Sequence, residues 1–176
     1  MGFEIEELPN FLLKKTADLS IYVIECYLML LYVMQVGNFR GLMMDIVITE
    51  WAFQSYLELK HKGAFTMNQY HQILRPSARK LANYPRDSFF KDTKKWGPAQ
   101  DKNGIPISHG FKLKWHNMGN GKVQLRCLVV IWNGTAFLCD SYNKTSDSID
   151  KRRCSRLKNK IHDISLGHYY HRGLLK

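Results

Sequence analysis

The sequence predicts an α+β domain: a small antiparallel or mixed sheet, two helices ahead of most of its strands, and a closing C-terminal helix. Three stretches carry that reading. Residues 122–142 hold two apolar runs joined by Asn133-Gly134, the dipeptide whose backbone suits a two-residue hairpin turn. Residues 45–49 (DIVIT) alternate like a short strand and pass straight into aromatic and aliphatic residues at helical spacing. From Ser146 onward, Ile149, Cys154, Leu157, Ile161 and Ile164 mark one side of a helix that Gly167 stops.

In chain order, Trp51, Phe53, Tyr56, Leu57 and Leu59 define the first helix after the opening strand, ending at Gly63. Thr66 is placed to cap a second helix, MNQYHQIL, which Pro76 disturbs before the segment ends at Pro85. Residues 86–110 scatter Gly97, Pro98, Gly104, Pro106 and Gly110 among charges, which predicts a long loop with at most short pieces of structure. Three strands follow: FKLKWH (111–116), KVQLRCLVVIW (122–132) and TAFLCDSY (135–142). The tail GHYYHRG (167–173) is expected to be exposed, although His168, Tyr169, Tyr170 and His171 are groups that can stack on bases.

A chain of 176 residues suits one domain, or one domain with an extension. Lys and Arg number 26 against 15 Asp and Glu, a net charge of +11 that favours an anionic partner, nucleic acid first and an acidic protein or membrane surface next. Residues 1–43 hold 3 basic and 5 acidic side chains, net −2, so residues 44–176 hold 26 − 3 = 23 and 15 − 5 = 10, net +13. The basic function therefore belongs to a domain at 44–176, and 1–43 is an apolar helical extension. Within it, LSIYVIECYLMLLYVMQV (19–36) approaches the roughly 20 residues of a membrane-spanning helix but is interrupted by Glu25 and Gln35. A buried helix, a membrane anchor, and a stretch outside the functional unit all stay open.

Four widely spaced cysteines without zinc-ligand spacing point to a reduced, cytoplasmic protein. Cys127 and Cys139 are expected in the core, with a disulfide across paired strands as the competing reading. No P-loop, GxGxxG, HExxH or GxSxG occurs, and no metal or cofactor is implied.

The residues that draw chemical interest lie in the strands. Alternation in FKLKWH puts Lys112, Lys114 and His116 on one face, opposite Phe111, Leu113 and Trp115. Arg126 interrupts an apolar strand. Its planar guanidinium suits phosphate oxygens, while the plainer readings are that it covers the sheet edge or pairs with an acid such as Asp140. His116 is the first choice for proton transfer, because imidazole titrates near neutrality, with His109, Asp140 and Tyr142 as competitors. On the last helix, Lys151, Arg152, Arg153, Arg156, Lys158 and Lys160 form a basic side, either a solvated face or a nucleic-acid surface.

This order of elements, with the string FKLKWHNMGNGKVQLRCLVVIWNGTAFLCDSYNKTSDSIDKRRCSRL, resembles the RelE/ParE superfamily of bacterial type II toxins, especially its HigB and phage-protein-like members, over about residues 44–166. Lys112 and Lys114 match the basic strand positions, Arg126 the arginine of the central strand, and Tyr142 and Lys144 the aromatic and lysine of the strand exit. The resemblance implies a RelE-like fold and a metal-independent endoribonuclease that turns a ribose 2′-OH on the adjacent phosphate of mRNA, often on the ribosome, and arrests growth. It implies catalytic Arg126, His116, Tyr142 and Lys144, and RNA contacts by Lys112, Lys114, Lys151, Arg152 and Arg156. The implied partners are an acidic antitoxin, mRNA and the ribosome, with membrane association through 19–36 less favoured. Toxins of the same fold that inhibit DNA gyrase without cutting, and basic nucleic-acid-binding or membrane-associated modules, are the competing classes.

Overall fold

The computed structural model describes residues 43–176, and the readings made for residues 1–42 lie outside the described residues. The described chain is α+β, built on one six-stranded mixed sheet. Its strands are β1 (Asp45–Thr49), β2 (Trp96–Gln100), β3 (Pro106–Met118), β4 (Val123–Trp132), β5 (Thr135–Asn143) and β6 (His171–Leu174), in the order β2-β3-β4-β5-β1-β6. All neighbours are antiparallel except β1 and β5, which run parallel.

Local signals set most of the element boundaries. The Thr49 hydroxyl ends β1 and caps α1 (Glu50–His61) by accepting from Ala52 N–H, and it donates to the Leu138 carbonyl at 2.7 Å. Ser55 Oγ accepts the Ser141 N–H at 2.8 Å, so α1 satisfies part of the β5 edge beyond the end of β1. Thr66 and Gln69 form a reciprocal capping box at the start of α2 (Met67–Gln69). A π-helical turn, Tyr70–Leu74, then leads into α3 (Arg75–Arg79), so the disturbance expected from Pro76 falls in the turn before it. Ser146 caps α4 (Asp147–Ser165) through Ile149 N–H, and Gly167 terminates it with φ +74°.

Two segments differ from expectation. Residues 86–110 are not mainly loop: they contain a 3₁₀ turn at Ser88–Lys91, the whole of β2 and the first residues of β3. Pro98 is tolerated because β2 is an edge strand, where one side of the backbone makes no ladder bonds. Gly97 leaves room for Lys114, whose Nζ would lie 3.0 Å from an added Cβ. The tail is exposed as expected at Gly167, His168, Tyr170, His171 and Arg172, but it is not free: β6 pairs antiparallel with β1, and Tyr169 packs edge-on against Phe137.

The sheet is covered on both faces. One face packs Leu128, Val130, Phe137 and Cys139 against Cys154, Leu157 and Ile164 of α4. The other face turns Leu113, Cys127, Val129 and Ala136 towards Ala78, Leu81 and Trp96, with a further cluster of Leu59, Phe65, Leu74 and Leu125 under α1 and α2. Cys127, Cys139 and Cys154 are buried free thiols, so no disulfide joins the paired strands.

Candidate functional site

Residues with chemical potential meet on the α4 face of the sheet, and one irregularity puts them there. Between Leu128 and Val129 the β4–β5 register shifts, leaving Cys139 as an extra residue. Phe137 and Cys139 face α4 by strict alternation, which would turn Tyr142 to the opposite face. The bulge restores it. Tyr142 lies in register with Arg126, and Arg126 with Lys114, while Lys112, Leu128 and Asp140 form the next row.

α4 closes over these rows from its first turn. Asp150 accepts from Lys112 Nζ at 2.7 Å and from the Tyr142 hydroxyl at 2.7 Å, joining two strands and the helix in one network. Burial works against the Asp150 carboxylate, but the bonds from Lys112 and Tyr142 outweigh it and hold its pKa below the usual value. Burial pushes the Tyr142 hydroxyl far above the ordinary tyrosine range, and the neighbouring Cys154 and Asp150 push the same way. Asp140 pairs with Arg153 at 3.3 Å and not with Arg126; burial still raises its pKa, against the pull of Lys160 and Arg153.

The cations expected to stand on an open face are placed differently. Lys112 is only 8% exposed and spends its charge on Asp150, so it does not face solvent as an RNA contact would. Lys114 is partly buried and donates to the Thr93 carbonyl at 2.9 Å and the Trp96 carbonyl at 3.4 Å. Burial, then the nearby Lys112 and Arg126 charges, lower its pKa. Arg126 is 5% exposed, so it is no open fork. Its Nη1 donates to the Leu125 carbonyl at 2.8 Å and the Trp115 carbonyl at 3.3 Å, and its Nη2 to Gln124 Oε1 at 3.3 Å. Among the described residues no carboxylate lies within ion-pair distance of Arg126 or Lys114.

Other expected residues sit around this core. His116 is exposed, with Nε2 3.1 Å from the Lys94 carbonyl. Lys144 pairs with Asp147 at 2.7 Å. Lys151, Arg152 and Arg156 are exposed on α4, whereas Lys158 pairs with Asp101 and Lys160 donates to the Cys139 carbonyl and lies over the Trp51 ring. Asp150 and Gln124 were not singled out in the sequence. Asp150 falls in the first turn after a Ser cap, where an acid is expected for the helix alone, and only the tertiary fold shows that it also serves two strands.

Among the described residues no helix is long and apolar enough to cross a membrane. Comparison with protein families, with curated proteins and with solved structures returns no match.

Proposed function

We propose that the domain at 44–176 acts on RNA as an endoribonuclease toxin of the RelE/ParE type, cleaving mRNA without a metal. The observation that carries this reading is the Lys114–Arg126 row: two cations side by side, hydrogen-bonded to neutral acceptors only, with Asp150 acting on them from beyond ion-pair distance. Such a pair in a partly desolvated setting favours an incoming anion over water. Gln124 is exposed, so a phosphate oxygen can take the place of its Oε1 on Arg126 Nη2, converting a neutral bond into a charge-assisted one. Lys151, Arg152 and Arg156 would follow the RNA backbone along α4, and Lys144 would meet it at the strand exit.

In the reaction the 2′-oxygen attacks the adjacent phosphorus while a base takes its proton, and the 5′-oxygen leaves with a proton from an acid. Arg126 and Lys114 are assigned to the charge that grows on the phosphoryl oxygens. His116 is assigned proton transfer. Tyr142 is not given that role: its proton is held towards Asp150 and its pKa lies far from neutrality. It positions the strand exit and Lys144. The proposal includes a cytoplasmic setting, action at the ribosome, and an acidic antitoxin that covers the basic helix.

A second reading, an RNA-binding protein that cuts nothing, is favoured by the engagement of His116 Nε2 with the Lys94 carbonyl and of the Tyr142 hydroxyl with Asp150. Purified full-length protein with a defined mRNA separates the two. Cleavage reduced about a hundredfold by Arg126→Ala, only partly rescued by Arg126→Lys, and unaccompanied by a large loss of thermal stability is the expected result. Tight RNA binding without cleavage establishes the second reading, and parental cleavage by a folded Arg126→Ala protein removes Arg126 from the site.

A further inference from the structure

The sheet face opposite α4 holds a cavity of about 230 Å³ whose aromatic wall the reading above does not use, although Arg126 is among the residues that line it. It lies between α1, the interrupted helix α2–α3 and the middle of β3–β5. Its walls include five aromatic side chains, Phe53, Tyr56, Phe65, Tyr70 and Trp115, together with leucines and alanines. Tyr56, Phe65 and Tyr70 stack or tilt against one another with ring centroids 5.3–6.2 Å apart, so this wall is preformed.

Arg75, Trp115, Arg126 and Ser141 bring polar groups into the apolar lining, and two of their atoms stand out. Trp115 Nε1 and Arg75 Nε are both buried, and neither has a hydrogen-bond partner. Both residues line the cavity. An orphaned buried donor costs about 1–3 kcal/mol, and native folds leave few of them. These are the only two side-chain atoms of that kind among the described residues, and their residues share one cavity. Among the described residues Arg75 has no Asp or Glu partner, and its Nη2 donates to the Lys176 main-chain oxygen at 3.1 Å.

We infer that this cavity is a binding site for a small aromatic monocarboxylate, whose carboxylate accepts from Arg75 Nε and Trp115 Nε1 and whose ring system fills the aromatic pocket. Size, shape and charge agree on that class. A cavity of about 150 Å³ lined by apolar side chains accommodates benzene, so the volume here suits a one- or two-ring compound. Two N–H donors, one on a guanidinium, match two carboxylate oxygens. A polyanion such as a nucleotide would lose far more hydration against these walls than two donors return.

The test uses full-length protein and 2-naphthoate as the probe, followed by calorimetry and by the indole N–H resonances of the four tryptophans in a ¹H–¹⁵N spectrum. The resonance missing from Trp115→Phe identifies that of Trp115. The expected result is saturable one-to-one binding, displacement of the Trp115 indole resonance above the other three, and at least fivefold weaker binding to both Arg75→Gln and Trp115→Phe. The uncharged analogue 2-naphthamide should also bind at least fivefold more weakly. No saturable binding at millimolar 2-naphthoate, an unmoved Trp115 resonance, or equal affinity in both variants would overturn the assignment. Arg126 lines this cavity as well, but Arg75→Gln and Trp115→Phe leave it in place and RNA cleavage is not part of this readout, so the outcome is read separately from that of the proposed function.

Discussion

Asp150 holds together three elements, and its loss should be felt by all of them. In Asp150→Ala the Lys112 ammonium, with a side chain only 10% exposed, keeps its charge but loses its partner. Breaking a buried pair from one side costs about 3–5 kcal/mol, because the remaining charge has neither water nor counter-ion. The Tyr142 hydroxyl loses its acceptor in the same step and retains only a weak contact with Cys154 Sγ at 3.9 Å. These losses overlap, so the expected total stays near about 4 kcal/mol, or roughly 10–20 °C in melting temperature for a domain of this size. Asp150→Asn still accepts from Tyr142 but does not neutralise Lys112, and should fall between the two. The pH dependence has a definite sign. The folded pKa of Asp150 is depressed, so its stabilisation is fully present above the unfolded carboxylate value of about 3.9 and is lost as pH falls through the lower folded value. Chemical denaturation of the parent and Asp150→Asn should therefore show a constant gap from pH 8 to pH 5 that narrows below about pH 4. An Asp150→Ala protein that melts within about 2 °C of the parent would refute the network.

Three further outcomes follow from particular contacts. At Gly110 a Cβ would lie 2.9 Å from Leu157 Cδ2 and 3.3 Å from the Ile107 carbonyl, so Gly110→Ala should lift α4 from β3 and cost about 1–3 kcal/mol in urea unfolding. Replacing Lys151, Arg152 or Arg156 singly by Gln should lower the slope of log affinity against log salt for single-stranded RNA by about 0.7 each, with the fold unchanged. Burial raises the Cys127 thiol to about 12 and raises Cys139 and Cys154 as well, so in native protein at pH 8 a disulfide reagent should label at most one of the four cysteines, and all four after denaturation.

Elements announced by a side chain acting on its own backbone were legible in the sequence. Thr66 and Ser146 as caps, Gly167 as a stop and Asn133-Gly134 as a hairpin turn each work within a few residues, and each is found where it was expected. What escaped depends on distant partners. β2 carries Gly97 and Pro98, which read as breakers unless the strand is known to lie at an edge, and β6 is four residues long and pairs with β1 across more than half of the described chain. The alternation of Lys112 and Lys114 with Leu113 was legible and holds. The covering of Lys112 by α4 was not, because no local pattern tells that Asp150 reaches across to β3. The position of Tyr142 beside Arg126 rests on a bulge that the sequence TAFLCDSY does not mark.

The different treatment of two neighbouring cations bears on what the face is for. Lys112 and Arg126 lie one row apart on the same face, both are almost fully covered, and both carry the desolvation cost of a buried charge. The fold supplies Lys112 with a carboxylate at 2.7 Å, yet it gives Arg126 only two carbonyls and a glutamine amide, and sets Lys114 beside it. A guanidinium has five N–H donors, and three bonds to neutral acceptors leave it without an ion-pair partner, Asp150 acting on its charge only from beyond that distance. Selection for stability alone would have no use for this arrangement, since an apolar residue of similar volume in β4 would remove the cost. The positive potential is instead kept at the end of the sheet, next to exposed Gln124 and His116 and beyond the first turn of α4, where an anionic ligand could supply the missing counter-charge. That asymmetry, more than the total charge of the chain, supports a phosphate as the partner of Arg126.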